Sequence, residues 1–174
     1  MDDFKGLLKE TVSIIIIAFV LAMALRLCVV EGRVIPSGSM LPTIQLQDRV
    51  MVCKFIYWFK EPSRGDIVVF KPPESLGQQD DYIKRVIGLP GEKVEVKNEK
   101  VYINDEPLEE PYIMEAPSYD FGPVIVPKDS LFVMGDNRNE SFDSHAWGTW
   151  LKRDHLKGKA FIIYWPPKHF GLLK

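Results

Sequence analysis

A mainly β domain behind one N-terminal apolar helix is the fold class that the sequence predicts, and three observations predict it. Residues 11–30, TVSIIIIAFVLAMALRLCVV, carry one ionic side chain, Arg26. From Val34 onward the chain breaks into short runs rich in Val, Ile, Phe and Tyr, bounded by Gly, Pro, Asn or Asp. The 174 residues are 46% hydrophobic and 26% charged, which suits one globular domain with an appendage. The expected division is a short N-terminal segment (1–11), a transmembrane anchor (12–30) and a β-rich domain (31–174).

The apolar run comes first. A spanning helix needs about 20 mostly apolar residues, and an arginine near one end can snorkel to the headgroups. The run therefore predicts a single-pass anchor with the lipid bilayer as its partner. A cleaved signal peptide would have a shorter apolar region and a small-x-small site, of which AMALRLC is a poor version. A buried core helix is the other alternative, because the stretch before Arg26 falls short of a full span. Lys5 and Lys9 precede the run while Arg26 and Arg33 follow it, so counting positive charges leaves its orientation close to a tie.

Five segments then read as strands or strand groups: DRVMVCKF (48–55), GDIVVFKPP (65–73), residues 82–108, SLFVMGDN (130–137) and KGKAFIIYWPP (157–167). In VEVKNEKVYI two alternating halves flank Lys97–Lys100, which contains Asn98 and predicts a hairpin. The stretch 109–123, EEPYIMEAPSYDFGP, lacks periodicity and reads as a surface loop, with substrate contact as the lesser alternative. The thirteen prolines fall mainly between strands, since proline cannot donate to a ladder.

Composition narrows the function. A net charge of −2, from 22 Lys+Arg against 24 Asp+Glu, provides no basic field for a phosphate backbone, so nucleic acid is not an expected partner. Cys28 and Cys53 cannot make a disulfide framework. The histidines, His145, His155 and His169, form no H-x-x-x-H pair, and there is no C-x-x-C, so neither a metal nor another cofactor is expected.

The chemistry-bearing candidates start with PSGSM (36–40), two serines around a glycine, which is also an ordinary turn composition. A serine nucleophile needs a base. His145 beside Asp143 in DSHAWG offers a triad, although carboxylate and imidazole on one short loop are more often a solvated turn. Lysine serves instead if burial lowers its free pKa of about 10.4 by several units. Lys84, in DDYIKRVIGLPG, sits inside an apolar strand. Alternation puts it on one face with Tyr82 and Val86 and leaves Arg85 on the other with Ile83 and Ile87, so one cation can turn inward while its neighbour stays in solvent. A surface strand lysine with a snorkelling stem has the same local sequence.

Four boxes in order, PSGSMLPT (36–43), RGDIVVF (64–70), YIKRVIGLPGE (82–92) and GDNRNESFDSHAWG (135–148), follow the apolar run. Together they closely resemble the signature boxes of bacterial type I signal peptidases, from the anchor to about Gly148. The resemblance implies a signal-peptidase-like β-fold with one N-terminal transmembrane helix, acting on secreted preproteins after small-x-small sites. It implies Ser39 as nucleophile, Lys84 as general base, and an oxyanion hole from the Ser37 hydroxyl and the Ser39 N–H. By box position Ser141 would hydrogen-bond the Lys84 amine, and Gly135, Asp136, Asn137 and Arg138 would shape the supporting turn. Asp143 would pair with a cation where the family usually has arginine and this chain has His145. Histidine changes charge near neutrality and lacks the guanidinium fork, so such a pair would weaken as pH rises. Ile35, Pro36, Met40, Ile44, Tyr82 and Ile83 would line the substrate pockets, with core packing the alternative for each. The resemblance also implies a cell-membrane enzyme whose catalytic domain is extracytoplasmic. A self-cleaving Ser-Lys repressor peptidase would carry a DNA-binding module where the apolar run stands. A non-catalytic membrane-anchored β-domain would not need Ser39 and Lys84 in matched boxes.

Overall fold

The computed structural model describes residues 2–28 and 30–173, with side chains for 10–23 and 30–173. Helix α1 (Asp2–Cys28) carries the apolar run, and its described side chains are all exposed, including Ile14, Ile15, Phe19 and Leu21. Among the described residues no helix is long and apolar enough to cross a membrane. Val29 lies outside the described residues, as do the side chains of Lys5, Lys9, Arg26 and Cys28.

Beyond α1 the molecule is mainly β. The strands are β1 (Val30–Val34), β2 (Arg49–Cys53), β3 (Ile67–Phe70), β4 (Tyr82–Gly88), β5 (Lys93–Lys97), β6 (Lys100–Ile103), β7 (Glu106–Pro107), β8 (Phe121–Ile125), β9 (Ser130–Met134), β10 (Leu151–Lys152), β11 (Leu156–Trp165) and β12 (Gly171–Leu172). Short helices α2 (Ile56–Phe59) and α3 (Ser144–Trp147) lie between them. An eight-stranded antiparallel sheet runs β1-β2-β11-β3-β4-β9-β10 with β12 beside β11, and a four-stranded sheet runs β7-β6-β5-β8. The second sheet grows from the β4–β5 and β8–β9 connections.

The continuous apolar run of β3 marks a strand covered on both faces. Its register with β4 pairs Val68 with Lys84 and Val69 with Ile83, so Lys84 shares a face with Val68, Phe70 and Val86. That face packs against Leu131, Val133, Trp147 and Leu151. The opposite face feeds two clusters. One gathers Ile35, Met40, Ile44, Val50, Ile67, Ile83 and Ile163. The other joins the two sheets through Ile87, Val94, Val101, Phe132 and Met134.

Arg85 lies on β4 between Ile83 and Ile87, and it is 1% exposed, which corrects the expectation that it stays in solvent. The far face of β4 meets a second core instead of water. The buried charge is matched by Asp136, whose carboxylate accepts from Arg85 Nε at 2.8 Å and Nη2 at 2.7 Å, and the guanidinium lies 4.0 Å from the centre of the Tyr112 ring.

The predicted hairpin forms between β5 and β6 on Asn98 and Glu99, at φ +50° and +62°, the twist of a two-residue primed turn. Asn104 and Asp105 repeat it between β6 and β7. The stretch read as a loop over 109–123 is irregular to Asp120, but its end, Phe121–Pro123, opens β8 against β5.

Candidate active site

Ser39 sits in the connection between β1 and β2, a segment pinned at both ends. Ile35 N donates to Asp48 O at 2.9 Å, and Gln45 N donates to Asp48 Oδ2 at 2.8 Å. Met40 and Ile44, both fully buried, plug the segment into the core, and Ile44 N donates to Met40 O. A second segment, Gly135–Ser141, holds it from outside. Asn137 N donates to Ser39 O at 3.1 Å, and Asn137 Nδ2 donates to Gly38 O at 3.2 Å. Thr43 Oγ1 donates to Asp136 Oδ2. Position 135 must be glycine for this approach, since a Cβ there would stand 2.3 Å from both Ser39 O and Ser141 Oγ.

Lys84 reaches the serine from the middle of β4. Its Nζ donates to Ser39 Oγ at 2.7 Å and to Ile83 O at 3.1 Å, and the side chain is 5% exposed. Burial pushes its pKa down to about 8, against the charges of Asp143 and Asp136, which favour the ammonium. A neutral amine at this distance can take the hydroxyl proton. Ser37 is exposed, with its Oγ 3.4 Å from Ser39 Oγ.

The supporting residues are brought together. Arg138 Nε donates to Gly135 O at 3.0 Å, while its fork grips Glu110 at 2.6 and 2.7 Å. Asp143 is fully buried and accepts from Gly135 N at 2.8 Å and from His145 Nδ1 at 2.7 Å. His145 therefore occupies the cation position beside Asp143, and the partners of Ser39 Oγ are Lys84 and Ser37, which leaves a Ser-His-Asp triad without its serine–histidine contact. Ser141 differs from expectation: its hydroxyl is buried without a hydrogen-bond partner among the described residues, and the bond to Lys84 is not formed. The Lys84 amine turns instead to Ser39 and to the Ile83 carbonyl.

A groove of about 530 Å³ opens over the serine, lined by Pro36, Ser37, Tyr82, Ile83, Asn137 and Phe142 among others. A neighbouring cavity of about 310 Å³ shares Pro36, Tyr82 and Ile83 with it and adds Ile35. Met40 and Ile44 line neither; both are core. Phe142, which lines the groove, and Thr43, which binds Asp136, have no signal of their own in the sequence, because only the fold brings them to the site.

Comparison with known proteins finds relatives over most of the chain. A family described as "Signal peptidase, peptidase S26" matches residues 8–165. Signal peptidase I of Leptolyngbya laminosa is 49% identical over 171 residues, covering 95% of this chain and 84% of that protein. Thylakoidal processing peptidase 1, chloroplastic, of Arabidopsis thaliana is 41% identical over 158 residues, covering 86% of this chain and 46% of that protein. The crystal structure of a signal peptidase I from Enterococcus faecalis V583 superposes with a TM-score of 0.50 at 34% identity, over 57% of this chain and 97% of that one.

Proposed function

The chain belongs to the signal peptidase family, peptidase S26, and we propose that it removes signal peptides from secreted preproteins through Ser39 as nucleophile and Lys84 as general base. Its relatives are signal peptidases I, so the reaction is endoproteolysis by a serine enzyme. The observation that carries the residue assignment is the 2.7 Å contact between a buried lysine amine and a serine hydroxyl at the foot of a groove.

Lys84, when neutral, accepts the Ser39 proton as the oxygen attacks the scissile carbonyl, and the resulting ammonium gives that proton to the leaving amine. A water then enters, Lys84 takes its proton, and hydrolysis of the acyl-enzyme returns Ser39 to its starting state. The Ser39 N–H and the Ser37 hydroxyl face the developing oxyanion, a type of donor worth about 2.7–4 kcal/mol of transition-state stabilisation. The substrate docks in extended form as an added strand, with its small side chains directed to the groove and the neighbouring cavity. Pro36, Tyr82, Ile83 and Ile35 line these spaces and give small apolar side chains at alternate substrate positions a surface to pack on.

The exposed apolar run of α1 supports membrane anchoring. In this reading α1 crosses the cell membrane once and leaves the catalytic domain on the extracytoplasmic side. A preprotein held in the same membrane by its own apolar segment then meets the site at high effective concentration.

The test is cleavage of a model preprotein by purified wild type, Ser39→Ala and Lys84→Ala. Both variants are expected to fold and to lose cleavage. Processing by either at the wild-type rate removes the dyad from the proposal.

A further inference from the structure

The loop between β7 and β8 contributes no residue to the four boxes, yet it is fastened to the segment behind the dyad at three points. Glu110 forks onto Arg138, as described above. Asn139 Oδ1 accepts from Ser118 N at 2.8 Å and from Ser118 Oγ at 2.9 Å. Tyr119 stacks on His145, with ring centroids 4.2 Å apart and planes 13° from parallel, and Phe121 meets the same imidazole edge-on at 6.4 Å. A carboxylate offers no donor, so the 2.7 Å contact to Asp143 puts the hydrogen on His145 Nδ1. The Tyr119 hydroxyl, 3.4 Å from that nitrogen, is a weaker contact than the stack.

We propose that Tyr119 is a positioning residue of the Ser39–Lys84 dyad, acting through His145 and Asp143. The inference rests on Lys84 being the base. Asp143 is the foremost charge favouring the Lys84 ammonium, ahead of Asp136, whose carboxylate is occupied by Arg85. The stack fixes the imidazole so that Nδ1 points at Asp143 Oδ1 and takes up part of its charge. Without the stack the ring turns away into water, and the field of Asp143 falls more fully on the lysine. Arg138 and Glu110, the other charged groups acting on Tyr119, are paired with each other and largely offset. An arginine at 145 would need no such help, because its fork grips a carboxylate in a fixed plane. Histidine there makes the aromatic neighbour necessary.

The experiment measures kcat/KM of the full chain in detergent on a model preprotein from about pH 6 to about pH 10, bracketing the lysine titration. The enzymes are wild type, Tyr119→Phe, Tyr119→Leu, His145→Arg and Tyr119→Leu/His145→Arg, with Lys84→Ala as control. Tyr119→Leu moves the midpoint of the rise to higher pH by roughly half to one unit, a loss of about three- to tenfold near pH 7 that vanishes on the alkaline plateau. Tyr119→Phe keeps the wild-type profile, and in the His145→Arg background the leucine substitution has no effect on the midpoint. A Tyr119→Leu profile reduced by one factor at every pH, or unchanged, overturns the proposal. Should Lys84→Ala retain a pH-dependent rise, the base assignment fails instead.

Discussion

Lys84 is held against its own charge, and the consequences are measurable in both rate and stability. With a pKa of about 8, about a tenth of the amine is neutral at pH 7 and about nine-tenths at pH 9. The value of kcat/KM should therefore rise about tenfold over that interval and then level off. A lysine of ordinary proton affinity would give a rise of nearly a hundredfold without a plateau. For stability the sign follows from proton binding: the folded value lies below the unfolded value, so the unfolded chain binds more protons between about pH 8 and pH 10.5. The penalty is full below that window and disappears as pH rises through it. Lys84→Met is accordingly expected to be inactive yet more stable than wild type at pH 7, by about 2–3 kcal/mol in denaturant unfolding, with the gap closing in alkaline buffer. A destabilised methionine variant at pH 7 would mean that the amine is not a burden on the fold.

At the scale of elements, the two turns of greatest consequence respond in opposite ways to a small substitution. Gly135 lies where the 135–141 segment touches the Ser39 peptide, and a methyl group there meets Ser39 O and Ser141 Oγ at 2.3 Å. Gly135→Ala must push the two segments apart, which breaks the Asn137 clamp and misplaces the Ser39 hydroxyl by a fraction of an ångström or more. The expected result is a fall in kcat of about a hundredfold, with about 1–3 kcal/mol lost in stability. Glu99, by contrast, occupies a left-handed conformation, φ +62°, at the tip of the β5–β6 hairpin. Glu99→Gly relieves that strain and should add about 0.5–1 kcal/mol, read as a higher Tm, without touching the rate. The hairpin was legible because Asn98 advertises its turn. The central strands β3 and β9 were legible for a related reason: a strand covered on both faces writes its burial as a nearly unbroken apolar run, which β4 interrupts with Lys84 and Arg85. Strands β1 and β8 were not, since Glu31-Gly32-Arg33 and Phe121-Gly122-Pro123 have no alternation of their own and become strands only through the partners β2 and β5.

For the whole molecule, the order of the boxes singled out Ser39 and Lys84, which the fold brings to 2.7 Å, but the way the boxes are held together could not be read from them. Alternation on β4 told Lys84 from Arg85 without telling whether the second face met water or another core. It meets the seam between two apolar clusters, one beneath the Ser39 segment and one joining the sheets. Asp136 crosses that seam, bound to Arg85 on β4 and to Thr43 in the Ser39 segment. A buried pair of this kind adds little net stability, whereas losing one partner costs about 3–5 kcal/mol. Asp136→Leu and Arg85→Met should each lower stability by about that much in denaturant unfolding. The double variant Arg85→Met/Asp136→Leu, with an apolar seam, should recover most of the loss. Cleavage should not return with it, because the Thr43 tie to the Ser39 segment is gone, and rotation of that segment separates the hydroxyl from the amine. Simple addition of the two single losses in the double variant would show that the pair acts as two independent contacts, and recovered cleavage would show that the seam supports the fold without aiming the serine.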